Sequence, residues 1–205
     1  VRFGASPQLR ATLSARQLDA DKLMARDKDN GGGEAVRLLA ALHALMTELP
    51  HTPIRTRIEA GAEQIMMGGR PLQNVSLALR SDAGSWAIDR LDMRAPGTTQ
   101  ISFTRNAKAS APAGSFAGTL NIDSSDPDVL SAWLQGRNDA VRRTQKPLRL
   151  VGDVTASQDR VAIDALNAEI DGGAIEGRVA LEAPRPPRGV RLEAALKAER
   201  LDLDA

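Results

Sequence analysis

The chain has 205 residues, of which 42% are hydrophobic and only 2% aromatic, and it carries 27 basic residues, 26 acidic residues and no cysteine. A chain of this length buries roughly 70% of its unfolded surface on folding, so we expect a core that Leu, Ile, Val and Ala must fill. The missing cysteines exclude thiolate catalysis, disulfides and Cys-based zinc sites, while a net charge of +1 and the few aromatic rings argue against nucleic acid as a partner.

Neither a run of 18 apolar residues nor a secretion signal is visible in the sequence. The chain begins at Val1 rather than at Met, and it stops abruptly after Leu203-Asp204-Ala205. We therefore expect a fragment of a longer protein, from which a membrane segment has been removed.

Short runs of alternating apolar and polar residues in the first half of the chain predict half-buried strands. The first of these strands covers Leu9 to Arg16. Later strands begin at Pro53, Val75, Trp86, Ile101 and Phe116.

Two helices are expected between these strands. Glu34 to Leu49 places its apolar residues on one stripe, and Pro50 ends the helix because the residue before proline disfavours the α region. The stripe has few basic residues, which favours packing over the open edge or end of a sheet rather than lying on a membrane surface. A shorter helix begins at Asp126-Pro127, with Asp126 as the N-cap.

The stretch from Leu148 to Ala198 reads as four consecutive antiparallel strands, each with one apolar and one polar side. Such strands predict a continuous aliphatic surface, which suits acyl chains because they carry no groups for hydrogen-bond recognition. The candidate groove residues are Leu150, Val154, Val161, Ile163, Ile175, Val179, Leu181, Leu192 and Leu196.

Two similar segments, Trp86 to Leu91 and Val161 to Leu166, share one irregularity. Their apolar residues stand three positions apart, at Ile88 and Leu91 in the first copy and at Ile163 and Leu166 in the second. An odd spacing in a strand of period two predicts a β-bulge at that point in each copy.

A strand followed by Asp-x-Asp occurs three times, ending in Asp19-Ala20-Asp21, Asp126-Pro127-Asp128 and Asp202-Leu203-Asp204. We interpret each as a strand-to-helix junction, in which the first Asp caps the helix and the second lies in its positive first turn. The alternative is a metal site, but a hard cation such as calcium requires roughly 6–8 oxygen ligands.

The remaining candidate sites have simple structural explanations. His43 and His51 are the only histidines, and no Ser/His/Asp arrangement is readable around them. Gly31-Gly32-Gly33 lacks the Gly-Lys-Ser/Thr ending of a phosphate loop, and Asp27 to Gly31 departs from the spacing of a calcium loop. We expect no catalytic residue, no cofactor and no metal.

Several motifs, in the order in which they occur, resemble the AsmA family of bacterial envelope proteins. They are Trp86-Ala87-Ile88 to Pro96-Gly97, Phe116-Ala117-Gly118, Asp126 to Leu134, Ala168 to Gly177 and Arg200 to Asp204. The resemblance implies an N-terminal helix in the inner membrane and a long β-rich region in the periplasm. It also implies a role in outer-membrane biogenesis and in moving phospholipid across the cell envelope.

The expected architecture is mainly β, a long, twisted and curved antiparallel sheet of repeated strand units, with one amphipathic helix and one or two short helices covering an edge or face. Residues 1–205 form a single AsmA-like region, with possible sub-units 1–146 and 147–205. The expected function is non-catalytic, with a phospholipid or other acyl-chain ligand on the apolar face. The alternatives are a scaffold that pairs with envelope proteins through sheet edges and an enzyme acting on envelope polymers, for which no carboxylate spacing is readable.

Overall fold

A computed structural model describes residues 7–23, 34–50, 52–82, 85–106, 115–137, 146–157, 160–170, 172–182 and 191–198. The strands in these residues are β1 (Gln8–Asp19), β2 (Arg55–Met67), β3 (Arg70–Asp82), β4 (Ser85–Ala95), β5 (Thr99–Arg105), β6 (Phe116–Ser124), β7 (Leu148–Ala156), β8 (Arg160–Ile170), β9 (Gly173–Glu182) and β10 (Arg191–Ala198). The helices are α1 (Ala20–Leu23), α2 (Glu34–Glu48) and α3 (Pro127–Leu134).

The ten strands form one open sheet in which the spatial order follows the order in the chain, from β1 to β10. This confirms the prediction of a mainly β protein with a long sheet. The first pair differs from the expected antiparallel arrangement, because β1 runs parallel to β2, while the other eight pairs are antiparallel. Parallel neighbours need a crossover connection, and the segment between Asp19 and Arg55, which contains α1 and α2, provides it.

Both predicted β-bulges are present. In β4 the ladder passes from Ile88 to Arg90 while β3 advances by one residue, so Asp89 is the extra residue. In β8 the ladder passes from Ile163 to Leu166 while β9 advances by two, and Ala165 in this gap has a φ of 48°. Each bulge returns the next leucine, Leu91 or Leu166, to the apolar face, where both are buried.

The core lies between one face of the sheet and the helices α2 and α3. Its largest fully buried side chains include Trp133 on α3, Met67 at the end of β2 and Ile88 on β4. On α2, Leu38 and Leu42 pack against this cluster. The predicted helix is therefore present, but it lies on the apolar face against β4 rather than over an edge or end of the sheet, because that face offers the larger apolar surface.

The aspartates that end β1 and precede α3 cap helices as predicted. The Lys22 backbone N–H donates to Asp19 Oδ1 over 3.0 Å at the start of α1, and the Val129 N–H donates to Asp126 Oδ1 over 3.2 Å at the start of α3. The third copy, at residues 202–204, lies outside the described residues, as do the loop at 27–33 and His51.

Candidate functional site

All nine candidate groove residues lie on the same face of the sheet. The ladder pairs Ile163 with Val154 on one side and Val179 on the other, and it pairs Leu181 with both Val161 and Leu192. Directly paired residues point to the same side of a sheet, and alternate residues along each strand return to it. By the same registers Leu150, Ile175 and Leu196 belong to this face. We call these nine residues the apolar patch.

The exposure of the apolar patch increases toward the β10 edge. Val154 is buried and belongs to the core cluster. The other members on β7 to β9 are half-buried. On β10, Leu192 is 66% exposed and Leu196 is 54% exposed, whereas Ile88 on the same face of β4 is 1% exposed. The helices thus seal the face over the earlier strands, and the last strand presents bare leucine side chains to solvent.

Two glycines on the apolar face of the sheet leave space that larger neighbours occupy. A Cβ added at Gly152 would lie 2.5 Å from Ile163 Cγ2, and one added at Gly118 would lie 2.6 Å from an edge carbon of the Phe103 ring. Phe103 in turn packs edge-to-face on Phe116, with ring centroids 5.4 Å apart. Along the described part of β7 to β10, the regular positions of this face carry aliphatic residues or glycine, whose side chains offer a ligand no hydrogen-bonding group.

The dimensions of the apolar patch match those of acyl chains. Four adjacent strands span about 14 Å at ~4.8 Å between neighbours, and eight residues of strand span about 27 Å. One leaflet contributes about half of the ~30 Å hydrocarbon core of a bilayer. On β10 the patch residues Leu192 and Leu196 are four positions apart, which is about 14 Å, so an acyl chain that lies along this strand covers both of them.

The opposite face of the same strands is polar and carries cross-strand ion pairs. Arg149 pairs with Asp123 at 3.4 Å and Arg178 with Asp164 at 3.5 Å. Such exposed pairs contribute little to stability. Val151 is an exception, since it is a large aliphatic residue 45% exposed on this polar face. Arg149 is thus engaged by a carboxylate of the neighbouring strand β6.

The residues of the apolar face that the candidate set omits include three on β8 and one on β7. Leu166 and Ala168 are buried there, and Ile170 is 40% exposed at the end of β8 beside Leu148 of β7. Ala168 and Ile170 follow Leu166 at regular intervals of two. The bulge at Ala165 was readable from the sequence, and carrying the alternation through it would have placed all three residues of β8 on this face.

The second aspartate of the first Asp-x-Asp has a larger role than its position in a helix turn predicted. Asp21 accepts hydrogen bonds from the backbone N–H groups of Gly68 (2.9 Å) and Gly69 (3.1 Å), and it pairs with Arg37 of α2 at 3.2 Å. Arg37 also binds Glu34 at 2.7 Å. Partial burial raises the pKa of Asp21, but the hydrogen bonds from Gly69, Gly68 and Arg37 outweigh it, so the net pKa lies below the ordinary value.

These contacts assign Asp19 and Asp21 to structure rather than to metal binding. Asp19 faces a helix amide and Lys22, and Asp21 joins the first crossover to the turn between β2 and β3. Within the described part of the chain, no group of three or more His, Cys, Asp or Glu residues is placed to hold a metal ion. Among the helices described there, none has the length and hydropathy to cross a bilayer.

Comparison of the chain with protein-family models, with curated proteins and with solved structures finds no match. The likeness to the AsmA family therefore rests on the sequence motifs alone. The apolar patch is the feature of the fold that bears most directly on what the chain can bind.

Proposed function

We propose that this chain is a non-catalytic periplasmic module of an AsmA-like protein, anchored to the inner membrane in the full-length protein. It supports outer-membrane biogenesis and phospholipid transport by holding acyl chains against the apolar patch. The single observation that carries the proposal is the exposure of Leu192 and Leu196 on a face that is otherwise lined by aliphatic side chains.

The physical argument is that exposed aliphatic side chains gain free energy when an apolar ligand covers them. Complete burial of one leucine side chain contributes about 1.5–3 kcal/mol relative to its exposed state. Acyl chains match this surface because neither partner has to give up hydrogen bonds to water. The open sheet also lets a bound acyl chain move along the apolar face. The regular positions of this face on β7 to β10 carry aliphatic residues or glycine, so no side chain there would hold the acyl chain in one place by a hydrogen bond.

The test is lipid capture by the purified chain and by two charge variants. Native mass spectrometry and lipid extraction after bacterial expression should find phospholipid on the wild-type chain. The double variant Leu192→Asp/Leu196→Asp should bind a fluorescent fatty acid at least tenfold more weakly, which corresponds to about 1.4 kcal/mol. Val151→Asp is the control, because it exchanges an exposed aliphatic side chain for a carboxylate on the polar face of the same sheet; it adds one negative charge, where the double variant adds two.

The proposal predicts that the control retains wild-type binding. A wild-type chain that carries no lipid and takes up no fatty acid would contradict it. Equal weakening by Val151→Asp would also contradict it, because the effect of the charge would then be independent of the face on which it lies.

A second candidate function is a protein-interaction scaffold. Among the strands that the structure describes, β1 and β10 each have a single neighbour in the sheet, so each offers one open edge. Partner strands add to such edges by backbone hydrogen bonds. The carbonyl of Ala195 faces β9, so the backbone N–H of the preceding Ala194 points to the open edge, because neighbouring residues of an antiparallel strand alternate in direction. A Pro in place of Ala194 would remove this edge donor; loss of a protein partner with unchanged lipid uptake would favour the scaffold function.

A further inference from the structure

Three arginines form a row across the first three strands of the sheet. Arg10 of β1 is the direct ladder partner of Arg57 in β2, and Arg57 is the direct ladder partner of Arg80 in β3. All three therefore lie on the polar face, with neighbours separated by about 4.8 Å along the hydrogen-bonding direction. Like charges placed directly opposite one another destabilise a sheet. Two such arginine pairs nevertheless occur side by side, Arg10 with Arg57 and Arg57 with Arg80.

Carboxylates neutralise only one end of the row. Arg80 lies 3.4 Å from Asp82 and 3.5 Å from Asp89. Asp82 also faces Arg55, a fourth arginine one row nearer the start of β2, at 3.9 Å. Over the residues that the structure describes, neither Arg10 nor Arg57 has a carboxylate within ion-pair distance.

Besides Asp82 and Asp89, a third acidic residue lies near the row. Glu59 lies on the same face one row further along β2, where its ladder partner in β1 is Thr12. It forms no ion pair with Arg57 or Arg10 among the described contacts. The positive charge at Arg10 and Arg57 is thus left for solvent or for a ligand.

The row lines a groove that is large enough for a small anion. The groove has a volume of about 210 Å³ and is lined by three consecutive residues from each of β1, β2 and β3, among them four arginines and one aspartate. Guanidinium groups bind phosphoryl oxygens in pairs of parallel hydrogen bonds. A phosphate monoester carries about −1.5 to −2 charges at neutral pH. This charge balances two adjacent arginines, whereas a ligand with a single carboxylate would balance only one.

We propose that this arginine groove binds a phosphate-bearing ligand, with the phosphoryl group held between Arg10 and Arg57 and with Arg80 at its margin. The ligand relieves the repulsion between neighbouring guanidinium groups, which is why three arginines in a row are tolerated. A free phosphate compound and an anionic lipid headgroup present the same chemistry to the groove. The proposal is independent of the apolar patch, which lies on the opposite face.

The test measures phosphate binding by the whole chain at constant ionic strength, so that screening of exposed charges is the same in every sample. Inorganic phosphate and pyrophosphate are titrated while the arginine Nε–H signals are followed by NMR. In parallel, sedimentation measures binding to vesicles of phosphatidylglycerol and of phosphatidylcholine. The variants are Arg10→Gln and Arg57→Gln, and the control is Arg178→Gln, which removes an arginine from the same face of β9.

We expect the Arg10 and Arg57 signals to shift together, and each groove variant to weaken pyrophosphate binding at least tenfold while Arg178→Gln leaves it unchanged. Binding of pyrophosphate with these dependences identifies a site for free phosphate compounds. Binding only to phosphatidylglycerol vesicles, with the same dependence on Arg10 and Arg57, identifies a headgroup site.

Two results would overturn the proposal. One is the absence of binding to all four probes by the wild-type chain. The other is equal weakening by Arg178→Gln and the groove variants, which would mean that total charge rather than the groove determines the binding. The result of the lipid-uptake test with the Leu192→Asp/Leu196→Asp variant does not affect these two outcomes, because that variant lies on the opposite face of the sheet.

Discussion

The indole Nε1 of Trp133 donates a hydrogen bond of 3.0 Å to the backbone carbonyl of Met67, 66 residues away in the chain. Both residues are almost completely buried, and the bond joins α3 to the end of β2. The other tryptophan makes an equivalent bond in a less enclosed place, from Trp86 Nε1 to the carbonyl of Pro50 at 3.1 Å. The two indoles thus fix the two helices to the same apolar face.

The Trp133 bond should contribute more to stability than the Trp86 bond. Trp133→Phe removes the indole donor to the buried Met67 carbonyl, and loss of this buried hydrogen bond should cost about 1–3 kcal/mol. Trp86→Phe removes an indole of the same size, but this bond is only partly buried and its acceptor belongs to the exposed residue Pro50, so water can replace the lost donor. Urea unfolding of both variants measures the difference in the free energy of unfolding, and equal losses would contradict this assignment.

Gly97 should be far less tolerant of substitution than Gly172, although both have a positive φ. At Gly97 (φ 81°) an added Cβ would lie 2.3 Å from the backbone oxygen of Asp126, whereas nothing lies within 4 Å of a Cβ at Gly172 (φ 74°). Gly172→Ala should cost about 1–2 kcal/mol for the left-handed conformation alone. Gly97→Ala should cost about 4 kcal/mol, since the clash involves backbone and α3 must move.

Chemical denaturation of the two alanine variants tests this pair directly. The same substitution is made at a similar φ in both variants. The difference between their free energies of unfolding therefore reports on the contact between the β4–β5 turn and the start of α3. A Gly97→Ala variant as stable as Gly172→Ala would show that this contact is not rigid.

The bulge in β8 should be relieved by glycine. Ala165 has a φ of 48°, which disfavours alanine by about 1–2 kcal/mol, and glycine removes that strain at an entropic cost of roughly 0.5–1 kcal/mol. Ala165→Gly should therefore raise the free energy of unfolding by about 0.5 kcal/mol. Ala162→Gly, three residues earlier in a regular and buried part of the strand, should lower it. Thermal unfolding distinguishes the two, and destabilisation by both would contradict the strain at Ala165.

The contribution of Asp21 should depend on pH. Its pKa in the folded chain lies below the ordinary value, so the unfolded chain binds more protons in the interval between the two pKa values. Stability from this group is therefore fully present above the unfolded pKa of about 3.9 and is lost as the pH falls through the folded pKa.

Asp21→Asn should lower the free energy of unfolding by about 2 kcal/mol at pH 7, because charge-assisted hydrogen bonds to Gly68, Gly69 and Arg37 are weakened. The difference from the wild-type chain should shrink as the pH is lowered below about 3.9. Urea unfolding of both chains at several pH values measures this difference in the free energy of unfolding. Asp164→Asn, whose carboxylate pairs with Arg178 on the surface, is the control and should cost less than about 1 kcal/mol. A pH-independent difference at Asp21 would contradict the prediction.

Predictions from local sequence patterns are correct wherever the structural cause is also local. The alternation from Leu148 to Ala198 fixes which side chains share a face, because the side-chain period of a strand is two. The odd spacing between Ile163 and Leu166 indicates an inserted residue, and the bulge is there. Asp19 and Asp126 cap helices through an amide three residues away.

Contacts between distant segments were decided by the tertiary structure. Three such features have no local signature in the sequence. They are the parallel pairing of β1 with β2, the packing of α2 on the apolar face, and the hydrogen bond of Asp21 to the turn at Gly68, 47 residues away. The arginine row is of the same kind, since each member looks like an ordinary polar residue of an alternating strand. Only the register between strands shows that Arg10, Arg57 and Arg80 are neighbours. Register depends on pairing energies summed along whole strands, and those are set by the fold rather than by any short stretch of sequence.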